Sequence, residues 1–200
     1  MYVSSLHKAI FIPVPRTASR SVAAWFMFEY GALQRGTHHA RDRTKYLYKK
    51  ELDFTPWAVI RHPVYRAQSL YRFYTGPEST MAWGGRSWRG KLFDYFKDKS
   101  FEEFCKWLAG EDKQAPRGKR EKNQVDFLEE SGFILSQFKL IKFNHLDRDL
   151  EDLDFVTRSV KLPRVPNDYP KLIDTHCTSK SVSYAQQWAA SEFESGLWKS

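Results

Sequence analysis

Arg16, Thr17, Ser19, Arg20 and Ser21 lie together between an apolar run, Ile10-Phe11-Ile12, and a helical pattern that continues through Val22, Trp25 and Phe26. Such residues at a strand-to-helix turn suit the binding of an anion. The first amides of a helix have no carbonyl partner within it, and the helix dipole adds positive potential at the same spot. Arg16 brings a full charge, and Thr17, Ser19 and Ser21 bring hydroxyl donors. This is not the common nucleotide-triphosphate loop: the pattern G-x-x-x-x-G-K-[ST] is missing, and neither its glycines nor its lysine can be placed here. A phosphate-bearing ligand other than ordinary ATP is the expectation. The plainer account makes Arg16 a surface arginine and the serines helix caps.

The loop Val14-Pro15-Arg16-Thr17-Ala18-Ser19 resembles the 5′-phosphosulfate-binding loop of sulfotransferases that use 3′-phosphoadenosine 5′-phosphosulfate (PAPS), and is especially similar to the V-P-K-T-A-S form of the carbohydrate (heparan-type) enzymes. A second stretch, Ala58-Val59-Ile60-Arg61-His62-Pro63 and the following residues to Tyr71, resembles that family's 3′-phosphate motif, a strand ending in R-[ND]-P before a helix. In the family the strand-end arginine and a serine eight residues later hold the 3′-phosphate, and the resemblance maps them onto Arg61 and Ser69. Similarity continues, in the family's order, through Gln124-Val125-Asp126-Phe127-Leu128 (Q-x-D-[YF]-L) and Lys142 to Leu150 (R-F-E-x-L-x-x-D-[LF]). Leu162 to Asn167 (L-P-x-x-N) and the ending Ser191 to Trp198 (D-F-x-x-[FL]-G-[YW]) complete it. There are two departures: Arg16 replaces the usual lysine, and Asn144 stands where glutamate is common. Arginine keeps a cation there, though its delocalised fork is a poorer proton donor than an ammonium.

The resemblance implies transfer of a sulfuryl group from PAPS to a hydroxyl acceptor, a carbohydrate, without a metal. Such a transfer is an in-line displacement, and by analogy with phosphoryl transfer its catalysis is mostly positioning and charge stabilisation. On this reading Arg16 stabilises the leaving oxygen. The amides of Thr17, Ala18, Ser19, Arg20 and Ser21, with the hydroxyls of Ser19 and Ser21, hold the 5′-phosphate. Histidine suits the base that deprotonates the acceptor, because its proton affinity lies near neutral pH. His39, in Thr37-His38-His39-Ala40-Arg41, falls between the two nucleotide motifs, where the carbohydrate enzymes carry an H-A-[TS]-A or H-x-H segment. His38 is the alternative base, and an exposed loop pair is the competing account of both. His62 stands for the family's Asn or Asp and reads as a turn residue, while Arg66 reads as either a structural ion pair or a phosphate ligand. Trp83 and Trp88 with Arg86 and Arg89 suit stacking on sugar rings or pairing with acidic groups, although core packing is the commoner fate of tryptophan.

The elements that must position these residues alternate. Ile10-Phe11-Ile12, Trp57-Ala58-Val59-Ile60 and Phe138 to Phe143 read as short buried strands, each followed by a helical pattern. The first helix runs to a Gly31 stop and the second to Gly76-Pro77; Leu146, Leu150, Leu153, Val156 and Val160 form the third apolar stripe. Alternation of this kind implies an α/β fold: a parallel sheet of four or five strands flanked by helices, related through the resemblance to P-loop kinases. Between 76 and 123 the pattern loosens, apart from a helix over Phe101 to Ala109 with Ser100 and Glu103 as a capping box and Gly110 as its stop. Glu111 to Lys122 reads as an exposed loop. Residues 1–200 are therefore expected to form one domain with an acceptor-side insertion at 76–123.

Composition agrees with a folded chain: 200 residues, 42% hydrophobic and 16% aromatic, suffice for a real core. No apolar run approaches a membrane span and no signal-peptide layout opens the sequence, so a cytoplasmic location is expected. Cys105 and Cys177 lack metal-ligand spacing and are expected to be free thiols. A net charge of +8 attracts anions, whether nucleic acid, acidic glycan or a multiply phosphorylated nucleotide. Two rivals are less well matched. A P-loop kinase lacks its Walker lysine, magnesium motif and lid here, and a nucleic-acid-binding module explains the charge but not two phosphate motifs.

Overall fold

The computed structural model describes residues 1–36, 43–76, 88–115, 121–163 and 177–198, with backbone alone at 88–90. In chain order its strands and helices are β1 (Tyr2–Ser4), β2 (Ala9–Phe11), α1 (Ser19–Tyr30), β3 (Leu33–Gln34), β4 (Thr55–Ile60), α2 (Pro63–Thr75), α3 (Trp88–Phe96), α4 (Phe101–Ala109), α5 (Gln124–Glu129), β5 (Lys139–Lys142), α6 (Leu146–Glu151), α7 (Ser179–Trp188) and α8 (Ala190–Glu194). Contacts divide the chain into two compact units, Met1–Arg61 with Gln124–Asp168, and His62–Asn123 with Tyr169–Ser200. The stretch expected as an insertion belongs to the second unit, together with α2 and the C-terminal helices.

The first unit holds a five-stranded sheet in the order β3-β1-β2-β4-β5. The three runs read as strands, β2, β4 and β5, are parallel neighbours, as expected. The sheet as a whole is not parallel, because β1 pairs antiparallel with both β2 and β3. The reason is chain length. Residues 5–8 are too few for a crossover, so β1 and β2 can meet only as a hairpin. Alternation along the strands puts Ala9, Phe11, Trp57, Val59 and Ile141 into one cluster with Val22, Trp25 and Phe26 of α1. Trp57 packs 4.4 Å from Phe11 with the rings tilted by 31°, and meets Phe26 edge-on at 5.2 Å. Ile10, Ile12, Ala58 and Ile60, which point to the opposite face, are buried as well.

The apolar stripe from Leu146 to Val160 does not form one helix: α6 stops at Glu151, and Leu153 and Val160 reach the same cluster from irregular chain. The Glu151 carboxylate accepts from the Ser159 hydroxyl and the Val160 amide, both at 3.0 Å, which fixes the returning loop.

The second unit packs Leu70 and Tyr74 of α2 with Phe96, Phe104, Trp107 and Trp188. Its α4 carries the expected capping box: the Ser100 hydroxyl accepts the Glu103 amide at 3.2 Å, and the Glu103 carboxylate accepts the Ser100 amide at 2.8 Å. Gly110, at φ 88°, ends that helix in the left-handed region. Arg66 is a structural cation rather than a surface ligand. It is 1% exposed, donates to the Lys122 carbonyl at 2.8 Å and lies 5.0 Å over the Trp188 ring. The Tyr74 hydroxyl donates to the Glu121 carboxylate, and the Trp188 indole donates to the Glu121 carbonyl at 2.8 Å. Glu121 and Lys122, read above as the end of an exposed loop, are thus tied into the unit's core. Cys105 is buried and Cys177 exposed, both as free thiols.

Candidate functional site

Parallel register brings the two phosphate-type motifs to one edge of the first unit's sheet. Phe11 pairs with Trp57, and Ile60 pairs with Lys142, so the residues that follow β2, β4 and β5 all leave the sheet at its carboxyl edge. In open α/β sheets that edge is where ligands bind. Arg61 follows β4 directly. Its guanidinium lies 4.5 Å over the ring of Phe143, the residue that follows β5, and its Nη1 donates to the Arg16 carbonyl at 3.5 Å. The register itself explains the stacking, since Arg61 and Phe143 are the next step after the Ile60–Lys142 pair.

The backbone of Arg61 is held from a third direction. Gln124, at the start of α5 and fully buried, accepts the Arg61 amide on Oε1 and donates from Nε2 to the Arg61 carbonyl, both at 2.8 Å. One side-chain amide therefore satisfies both main-chain groups of the strand-end arginine. The sequence marked Gln124 within a motif but assigned it no task, and it gave no signal for Phe143 as a platform.

The loop between β2 and α1 is wound tightly without a glycine. Arg16 (φ 70°) and Ala18 (φ 59°) both take the left-handed conformation, which costs an ordinary residue about 1–2 kcal/mol. Strain of this kind persists where the surroundings over-determine it, and it concentrates at ligand sites. Left-handed residues stand on either side of Thr17, and turns of this kind can form anion-binding concavities from successive amides. Thr17 is fully buried and its hydroxyl donates to the Val14 carbonyl at 2.9 Å. That hydrogen bond braces the turn.

Helix α1 begins at Ser19 with no side-chain cap and no acidic residue in its first turn. Val22 is the first residue to bond back, to the Ala18 carbonyl at 3.1 Å, so the amides of Ser19, Arg20 and Ser21 have no carbonyl within the helix. The serines are not caps. Ser19 and Ser21 are half-buried, and Arg20 is exposed. Positive potential therefore accumulates from the helix end and from the chain at Arg16 and Arg61, with no carboxylate in the helix's first turn to offset it.

Ser69 lies in the second unit, on α2, which begins at Pro63 as the sequence implied. His62 is the residue before that helix, and it makes ring contacts with Tyr65 (5.6 Å) and Trp198 (5.4 Å). Burial lowers its proton affinity below the ordinary histidine value. His38, His39, Trp83 and Arg86 lie outside the described residues, as do the side chains of Trp88 and Arg89. Among the described residues no group of three His, Cys, Asp or Glu could hold a metal ion, and no helix is long and apolar enough to cross a membrane. Comparison of the chain with protein-family models, curated proteins and solved structures finds no match in any of the three.

Proposed function

We propose that this chain is a sulfotransferase that moves a sulfuryl group from PAPS to a hydroxyl of a carbohydrate acceptor. One observation carries the reading: the Arg61 guanidinium contacts the main chain of a strained, uncapped strand-to-helix loop that contains Arg16, at the carboxyl edge of parallel strands. Two anion-binding elements side by side suit a donor with two separate phosphate positions better than a single-phosphate ligand. The amides of Thr17 to Ser21 and the Ser19 and Ser21 hydroxyls take the 5′-phosphate, and Arg61 takes the 3′-phosphate, with Ser69 as its partner from the resemblance.

In the reaction the acceptor oxygen attacks sulfur, the bond from sulfur to the 5′-phosphate oxygen breaks, and adenosine 3′,5′-bisphosphate leaves. The acceptor's proton passes to His39 or His38. Arg16 stabilises the charge growing on the leaving oxygen, the point where fixed cations lower a barrier most. Acidic groups on the glycan suit the chain's net charge of +8.

Thermal-shift screening tests the reading. A ligand at 100 times its Kd stabilises the folded state by about 2.7 kcal/mol. Adenosine 3′,5′-bisphosphate without magnesium is expected to raise the Tm, and transfer from PAPS to a sugar array is expected to follow. Stabilisation by ATP with magnesium alone would favour a kinase, and by an oligonucleotide alone a nucleic-acid-binding module.

A further inference from the structure

A cleft of about 220 Å³ opens at the amino-terminal edge of the same sheet, where β2, β4 and β5 begin, away from the phosphate loop at their other ends. Trp57, Leu153 and Phe155 supply its apolar wall, and His7, Lys8 and Lys139 its basic rim. Trp57 is fully buried, yet its indole N–H has no hydrogen-bond partner. His7 is held at the rim by ring contacts with Tyr30 at 5.2 Å and Phe155 at 5.8 Å. Lys139 lies 3.9 Å from the carboxylate of Asp154, which also lines the cleft but is 98% exposed and easily displaced.

We propose that this cleft binds a small aromatic carboxylate. The size suits a small ligand: a cleft of about 220 Å³ has room for one ring and its substituent. Leu153 and Phe155 supply apolar surface for the ring. Lys8 and Lys139 make an anion the preferred head group, since the rim is positive on balance. The site is independent of the phosphate edge and of the reaction proposed there.

The test is titration of the ¹⁵N-labelled full chain with sodium benzoate, read at the Trp57 indole resonance, which Trp57→Phe assigns. Saturable binding at least tenfold tighter than that of benzyl alcohol is expected. Lys8→Gln combined with Lys139→Gln, both at exposed positions, is expected to weaken it at least tenfold. Calorimetry on the lysine variant carries the same test if Trp57→Phe does not fold. Saturating adenosine 3′,5′-bisphosphate is expected to leave benzoate binding unchanged, whereas competition would put benzoate at the phosphate edge and overturn the site. Non-saturable binding, or indifference to the lysine changes, would overturn it as well.

Discussion

Gln124→Leu tests whether the two-point grip on Arg61 sets the geometry of the phosphate edge. The substitution keeps the buried volume nearly constant and removes two 2.8 Å hydrogen bonds, leaving the Arg61 amide and carbonyl without the partners they have now. An unsatisfied buried polar group costs about 1–3 kcal/mol, but Arg61 is only half-buried and water recovers part of the loss, so a destabilisation of about 2–3 kcal/mol is expected. Urea denaturation measures it. The binding consequence is more specific. A charge-assisted hydrogen bond contributes about 1.5–3 kcal/mol, which is about 10–150-fold in affinity. Arg61→Ala should therefore weaken adenosine 3′,5′-bisphosphate at least tenfold, and Gln124→Leu should lose a large part of the same factor. Adenosine 5′-phosphate, which lacks the 3′-phosphate, should bind both variants nearly as well as the parent chain. Because Gln124 acts through Arg61, the double variant should bind no more weakly than Arg61→Ala alone. Equal losses for both nucleotides by calorimetry, or additive losses in the double variant, would refute the reasoning.

Arg16→Ala should depress turnover far more than it weakens donor binding, as separate measurement of kcat and donor Kd would show; the reverse pattern would make Arg16 a simple anchor. His39→Ala should lower the rate about 10²–10⁴-fold at saturating donor with donor affinity unchanged, while collapse in His38→Ala instead would move the base by one position. Ala18→Gly relieves a φ of 59° and should raise stability by up to about 1 kcal/mol in urea, whereas any loss would mean that the methyl group packs usefully. The His62 ring nitrogen Nδ1 is buried without a hydrogen-bond partner, and burial lowers its folded-state proton affinity below the ordinary 6.5. Between that lowered value and 6.5 the unfolded chain binds more protons, so stability is complete above about pH 6.5 and declines as the pH falls below it. His62→Asn should flatten this part of the urea-midpoint profile, and an unchanged slope would assign it to other groups.

The sequence by itself located the strand-to-helix loop before α1, the strand-end arginine and the three parallel strands, because each is written in local chemistry: a contiguous apolar run, a cluster of cations and hydroxyls, a proline at a helix start. Helix ends at Gly31 and Gly110 were legible for the same reason, since both residues take the left-handed turn that stops a helix. Local signals did not reveal β1 and β3, which are 3 and 2 residues long and exist only as partners in a sheet. Nor did they reveal that the stripe after Leu146 leaves the helix early, because Glu151 accepts hydrogen bonds from residues eight and nine positions later. The burial of Arg66 likewise follows from chain far away, at Lys122 and Trp188. Tertiary structure also decided the tasks within the site. Thr17 has the composition of a phosphate ligand but spends its hydroxyl on the Val14 carbonyl, whereas Gln124, 63 residues from Arg61, holds that residue's main chain through two hydrogen bonds. Residue type and spacing record what a side chain can donate or accept, but the partner that uses it is chosen by strand register and by packing between segments remote in sequence.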